Sequence, residues 1–330
     1  MGLAGGGTDV SPFSDEYGGC VFNATINRYS HTSLEPTNDD TIIFASPIHD
    51  DVEIIRAGEY VTPEGFYRLH KGVYNRIVKD FTHKPLSFKM TSFVDALPGS
   101  GLGTSSSLVV SIVGAFVEWL KLPLSEYDIA MLAYKIERED LQLSGGKQDQ
   151  YAATFGGFNF MEFGANDRVL VTPIHLRPRY LFEFEHNTLL YYTGSIHVSA
   201  KIIDEQKNNV VNKKQTSIDA MLKLKEQAIQ MKEAVITGEI DKIGDILDFG
   251  WHYKKQMANS ITTPAIDNIY NVAIQAGATG GKITGAGGGG YFIFYCPDLT
   301  KYKVIDALKP LGGRVEHFNF TDNGLTTWTI

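Results

Sequence analysis

The sequence is poor in cysteine: Cys20 and Cys296 are the only two in 330 residues. They fit no metal-ligand spacing such as C-x-x-C. Both sit in apolar stretches with strand character, so buried thiols are expected rather than a disulfide or a metal centre. There is no excess of basic charge either. Lys and Arg number 30 against 38 Asp and Glu, a net charge of −8, which argues against a general nucleic-acid binder. The lysines that do gather, between Lys201 and Lys225, lie beside acidic residues on a helical pattern and read as a solvated face. No apolar run approaches the ~20 residues of a membrane span. No signal peptide opens the chain, so no membrane partner is expected and the cytoplasm is the default location. Internal repeats and low-complexity linkers are missing, and an aromatic content of 12% excludes a disordered chain.

What abounds is glycine, 33 residues, against roughly 7% in average proteins. The glycines have no three-residue period, which excludes a collagen-like chain. They cluster at Gly5-Gly6-Gly7, Gly99 to Gly103, Gly145-Gly146 and Gly285 to Gly290. The length suggests about two domains, each with an ample core.

The first half reads as mixed strand and helix. Cys20 to Ile26 and Thr41 to Ala45 have the β-branched and aromatic content of strands. Gly65 to Phe81 carries Leu69, Val73, Ile77 and Val78 on one helical face. Leu86 to Val94 alternates like a half-buried strand. A broad apolar wall predicts a central helix from Thr104 or Ser105 to Leu120, and Ser125 to Asp128 forms a capping box for the next, through Ile136. Phe155 to Phe163, Val169 to Pro173 and Leu181 to Tyr192 read as strands. Helices follow over Ile218 to Ile236, Ile240 to Leu247 and Pro264 to Ala276, the last with Thr263 as N-cap. The loop Gly277 to Gly290 leads into an apolar strand, Tyr291 to Tyr295, before a final helix and strand. The shift in element type places a boundary near residue 185. Met1 to Ala4 runs into the first glycine triplet with no preceding strand, so the strand that should hold that loop is expected to be missing.

The run from Gly99 to Ser107 has glycines at alternate positions, then four hydroxyl residues opening a helix. Glycines allow an anion to approach the backbone, and the free N–H groups of a helix start face it. The alternative is a plain turn with a Ser/Thr N-cap. A dinucleotide fingerprint needs G-x-G-x-x-G, and Thr104 breaks it. A Walker A loop needs G-x-x-x-x-G-K-[ST], and neither Gly146-Lys147-Gln148 nor Gly281-Lys282-Ile283 supplies it. The second run, Gly280 to Gly290, lets another backbone or a ligand come close.

These segments together resemble the GHMP small-molecule kinases. Pro98 to Ser107 is similar to that family's P-x-x-x-G-L-G-S-S signature, with Pro98 one residue nearer and Thr104 ahead of the serine pair. Lys282 to Gly290 resembles its C-terminal glycine motif, and Ala4-Gly5-Gly6-Gly7-Thr8-Asp9 its N-terminal substrate motif. The order and distances match, so the resemblance spans nearly the whole chain. It implies an α+β fold of two domains, 1–185 (ribosomal-S5-domain-2-like) and 186–330 (ferredoxin-like), with the active site between them. The A-G-G-G-T-D start and the G-G-K-Q-D-Q segment are most similar to the sugar-1-kinases that phosphorylate the anomeric hydroxyl of D-glycero-D-manno-heptose 7-phosphate. A kinase for another sugar, such as L-fucose, and a non-catalytic sugar or ATP sensor remain alternatives.

The resemblance also implies roles. ATP phosphates would lie on Pro98, Gly99, Ser100, Gly101, Leu102, Gly103, Thr104, Ser105 and Ser106. Magnesium would be held by Ser105 and Glu137, with Glu139 and Asp140 competing for the carboxylate role. Asp149 matches the catalytic aspartate, although an Asx turn capping a following helix would also place an aspartate there. The sugar would meet Gly6, Gly7, Thr8, Asp9, Gly146, Lys147, Asp149, Gly287 and Gly288. Lys147, His197 and Lys201 are candidates for its phosphate. The expected partner is a small sugar phosphate, and the protein a monomer or homodimer.

Overall fold

The computed structural model describes residues 1–97, 99–195 and 199–330. Three four-stranded sheets organise the described chain. The first has the order β1 (Gly2–Ala4), β2 (Gly19–Ala24), β7 (Phe158–Phe163), β8 (Val169–Ile174). The second runs β3 (Ser30–Pro36), β6 (Phe88–Val94), β4 (Thr41–Ser46), β5 (Asp51–Arg56). The third runs β10 (Gly280–Ile283), β11 (Tyr291–Tyr295), β9 (Thr188–Tyr192), β12 (Arg314–Glu316). Eleven α-helices join them: α1 (Phe13–Tyr17), α2 (Arg68–Ile77), α3 (Thr104–Leu120), α4 (Glu126–Lys135), α5 (Gln148–Phe155), α6 (Pro178–Asn187), α7 (Ser199–Val211), α8 (Gln215–Thr237), α9 (Ile243–Met257), α10 (Pro264–Gln275) and α11 (Thr300–Leu308).

The first sheet is covered on both faces, which explains its continuous apolar runs. Cys20, Phe22, Phe158 and Phe160 pack on Ala228 and Met231 of α8 and Leu247 of α9. The alternate residues Val21, Met161 and Phe163 pack on Ala130 of α4 and Tyr151 of α5. One core thus joins the two halves of the chain. In the second sheet, Phe44, Phe88 and Met90 face Val109, Ile112 and Phe116 of α3, with the Phe88 and Phe116 rings 5.4 Å apart. The C-terminal segment returns to the first half: Phe320 bridges Ile26, and the Leu325 amide donates to Thr154 O at 3.0 Å.

The capping box is present, with Ser125 and Asp128 exchanging hydrogen bonds, and Thr263 caps α10 above Pro264. Both thiols are free and buried. Several expectations need correction. Gly2–Ala4 is itself a strand, paired antiparallel with β2 (Gly2↔Asn23, Ala4↔Phe22), so the first glycine triplet does hang on a strand. Leu181 to Asn187 belongs to α6: Pro178 opens it, and Leu181 and Phe184, three apart, face the core while Phe182 is exposed. Apolar residues at helical spacing had imitated a strand. The supposed loop from Gly277 contains β10, paired with β11 from Gly280↔Tyr295 to Ile283↔Phe292. The edge strands β3 and β5 were not read: β3 is mostly polar, and Val52 and Ile54 of β5 lie on its exposed face.

Gly280 lacks a positive φ, yet a Cβ there would stand 1.9 Å from Gly244 O on α9. Gly280→Ala should therefore destabilise the fold by about 2 kcal/mol, through overpacking alone. Denaturant melts would show it as a lowered midpoint with an unchanged slope. An unchanged midpoint would mean that α9 and β10 can separate freely.

Candidate active site

The glycine clusters converge on one cavity of about 450 Å³. In the first, the Gly5 amide donates to Gln227 Oε1 of α8 at 3.1 Å. Thr8 Oγ1 lies 2.8 and 2.9 Å from Gly5 O and Cys20 O, which share its one proton, and accepts from the Cys20 amide at 3.1 Å. Thr8 is thus a buried clip that ties the loop to β2, turned away from the cavity. Asp9, next to it, lines the cavity. Its carboxylate accepts from the Gln148 amide at 3.0 Å and from Gln148 Nε2 at 3.1 Å, so it sits on the free N–H end of α5. Gly146 makes that approach possible, since a Cβ there would lie 2.0 Å from Asp9 Oδ2.

In the second cluster Gly103 holds φ +73° as the N-cap of α3, and no side chain caps that helix. The open helix start faces the cavity through Thr104, Ser105 and Ser106, with Gly99, Gly101 and Gly103. Ser100 and Leu102 instead face the interior: Ser100 is fully buried, and Leu102 packs on the shared core. Pro98 and His197 lie outside the described residues. Ser105 Oγ donates to Glu137 Oε1 at 3.1 Å. Glu137 is fully buried and also accepts from Gln150 Nε2. Its competitors turn away, Asp140 pairing with Arg76 at 2.7 Å and Glu139 with the same guanidinium at 3.8 Å.

Asp149 stands in the first turn of α5, behind Gly103, where a Cβ would come within 3.1 Å of its carboxylate. The N-cap of α5 is Lys147, whose side chain makes no cap, and Asp149 lies inside the helix, so the Asx-turn alternative falls. The carboxylate makes no hydrogen bond among the described residues and meets solvent only through the cavity. Burial pushes its pKa up to about 6; the charges of Asp9 and Glu137 add to this, and the Met1 ammonium and Arg138 oppose it.

The closing loop seals the arrangement. The Cα of Gly101 lies 2.7 Å from where a Gly285 Cβ would stand, and a Gly290 Cβ would meet Ser100 O at 2.3 Å. Gly285 and Ala286 line the cavity. Gly287 and Gly288 turn away from the cavity onto Ile261, whose carbonyl accepts from the Gly288 amide at 2.8 Å. Lys147 also points away, to Asp167 at 2.7 Å, and Lys201 does not line the cavity.

Sequence reasoning missed other parts. Lys254 of α9 reaches the cavity and donates to Gly285 O; burial lowers its pKa to about 8, against the pull of Asp9 and Asp149. Lys282 donates to Gly2 O at 2.6 Å, and burial, with Lys254 beside it, pushes its ammonium far down. The far lobe is apolar, walled by Ile48, Phe66, Leu69 and Phe93. There His70 shares a 2.6 Å hydrogen bond with Ser92, and burial lowers its pKa to about 4. Of these residues only Lys282 stands in a sequence pattern that marks it, the C-terminal glycine motif.

An open helix start, a serine hydroxyl bonded to a buried carboxylate and two further carboxylates have the make-up of a phosphoryl-transfer site for a small molecule. Comparison with known proteins agrees. Residues 68–157 match the GHMP kinases N terminal domain and residues 231–311 the GHMP kinases C terminal domain. The chain is 46% identical over 330 residues to the D-glycero-alpha-D-manno-heptose 7-phosphate kinase of Campylobacter jejuni, covering 100% of this chain and 97% of that one. A solved D-glycero-D-manno-heptose 1-phosphate kinase from Bacteriodes thetaiotaomicron is 42% identical and superposes with a TM-score of 0.85, covering 100% and 96% of the two chains. Lactococcus lactis galactokinase with galactose, at 18% identity and a TM-score of 0.76 over 96% of this chain and 91% of that one, shares the fold. The chain belongs to the GHMP kinases and has their two-domain fold.

Because Asp149 is harder to ionise in the folded chain than in the unfolded one, the folded state binds more protons between pH 4 and 6. Its charge thus costs stability as pH rises through that window. Asp149→Asn should raise Tm at pH 8 by about 3 °C or more and leave it unchanged near pH 3. A variant less stable than the parent at pH 8 would show that the carboxylate supports the fold.

Proposed function

We propose that the chain transfers the γ-phosphoryl group of ATP to the anomeric hydroxyl of a sugar, D-glycero-D-manno-heptose 7-phosphate being the favoured acceptor. The observation that carries the reading is that Asp9 and Asp149 line one cavity with the open start of α3, Asp149 lying against its N-cap Gly103. The heptose phosphate acceptor is supported by the names of two relatives above 40% identity. Those names differ in the position of the phosphate, so the site of transfer is the point to test.

ATP phosphates would rest on the amides around Gly101 to Ser106. The apolar lobe near Phe66 and Phe93 suits the base. The cavity-facing Ser105 hydroxyl and the buried Glu137 carboxylate are hard oxygen donors that would suit magnesium. No group of three or more His, Cys, Asp or Glu residues could hold a metal among the described residues, so the ion would be shared with the nucleotide. When bound, magnesium neutralises phosphate charge. Asp9 accepts hydrogen bonds from sugar hydroxyls with its remaining lone pairs. Asp149 accepts the proton of the attacking hydroxyl as the new oxygen–phosphorus bond forms and ADP departs. No helix among the described residues is long and apolar enough to cross a membrane.

The test is ADP release with magnesium and a panel of heptose 7-phosphate, the unphosphorylated heptose and L-fucose. The heptose phosphate should turn over with the lowest KM; no release above background with it would overturn the substrate. The proton acceptor must be ionised, so kcat/KM should fall as pH drops through about 6, the pKa of Asp149. Asp149→Asn should lose about 10²–10⁴ in kcat. An acid limb near 4, or an active Asn variant, would remove Asp149 from that role.

A further inference from the structure

Lys254 brings a positive charge from α9 to the point where the glycine loops meet. Its side chain is 3% exposed, and an ammonium so far from water is held at a cost of several kcal/mol unless charge or hydrogen bonds offset it. It makes no salt bridge among the described residues. One hydrogen goes to Gly285 O, and an ammonium has three to give. A Cβ on Gly6 would lie 3.9 Å from Nζ, and Gly285 rests on Gly101 of the phosphate loop. The ammonium therefore stands between the phosphate loop and the loop that carries Asp9, with Asp9 and Asp149 favouring its charge. Tying down one carbonyl requires a donor, not a charge. Lys282 already ties the neighbouring strand to Gly2.

We propose that Lys254 is a catalytic cation whose ammonium touches the phosphoryl group in flight. This rests on the kinase reading above. As the sugar oxygen bonds to the γ-phosphorus, the bond to the β,γ-bridging oxygen breaks and ADP leaves with its electron pair. The hydroxyl proton passes to Asp149. Lys254 keeps its protons and offsets the charge spread over the equatorial oxygens, where a fixed donor in a dry site is most effective.

The test compares the full chain with Lys254→Met and Lys254→Arg. Steady-state kinetics are measured with ATP and heptose 7-phosphate. Calorimetry measures binding of ADP alone and of ADP with magnesium and aluminium fluoride, a mimic of the transferring group. Lys254→Met should lower kcat about 10²–10³-fold, with both KM values within about threefold. It should lose a comparable factor in fluoroaluminate affinity while ADP binds as before, and Arg should restore part of each. A Met variant with kcat within about threefold of the parent, or one that raises only the sugar KM, overturns the proposal. If Lys254→Met does not fold, Lys254→Gln, which keeps a donor to Gly285 but no charge, takes its place. If the parent phosphorylates no sugar, the substrate reading fails, while the fluoroaluminate measurement still decides Lys254.

Discussion

The site depends on one close contact, the backbone of Gly285 against the backbone of Gly101. The two loops come from opposite halves of the chain, and neither could approach the other with a side chain in between. That contact sets the ceiling of the phosphate cradle. It also aims the Gly285 carbonyl at Lys254 and, through Thr284 and Tyr291, locks the closing loop to Ser100. A second close approach, Gly146 against Asp9, does the same beside Asp149, seating a carboxylate on the start of α5. The glycine excess is thus a set of places where backbone must meet backbone or carboxylate.

Charge follows from this packing. Closing the loops removes Asp149, Lys254 and Lys282 from bulk water together. The Asp149 carboxyl becomes harder to ionise and the two ammonium groups harder to protonate, so the cavity holds these groups nearer their switching points than the surface would. The ion pairs of Arg76 with Asp140 and Glu139 lie close in sequence to Glu137 but outside the cavity, with both carboxylates partly open to solvent. Burial, more than residue type, separates the site from its charged neighbours.

Much of this was legible in the sequence. The phosphate loop and α3 were marked by alternate glycines, a hydroxyl run and a broad apolar wall. The capping signals at Ser125 and Thr263 were local and sufficient. Asp9, Glu137 and Asp149 stood in family-like segments. What was not legible depended on three-dimensional neighbours. Thr8, Lys147, Gly287 and Gly288 sit inside those same segments yet face the protein, since a motif does not state which way each side chain points. Lys254 lies in a helix with no distinguishing neighbours; only the descent of α9 onto the glycine loops gives it meaning. Leu181 to Asn187 failed for a simpler reason, because apolar residues three apart serve a helix and crowd like a strand.

The central claim is that Asp149 and the phosphate loop direct transfer to the anomeric oxygen of a sugar whose own phosphate lies elsewhere. Phosphorus-31 NMR of the product from heptose 7-phosphate and ATP tests it most directly. The account predicts a new phosphate resonance coupled to the anomeric proton, with the C7 phosphate retained. A new phosphate coupled to any other sugar proton, or inorganic phosphate alone, would contradict it.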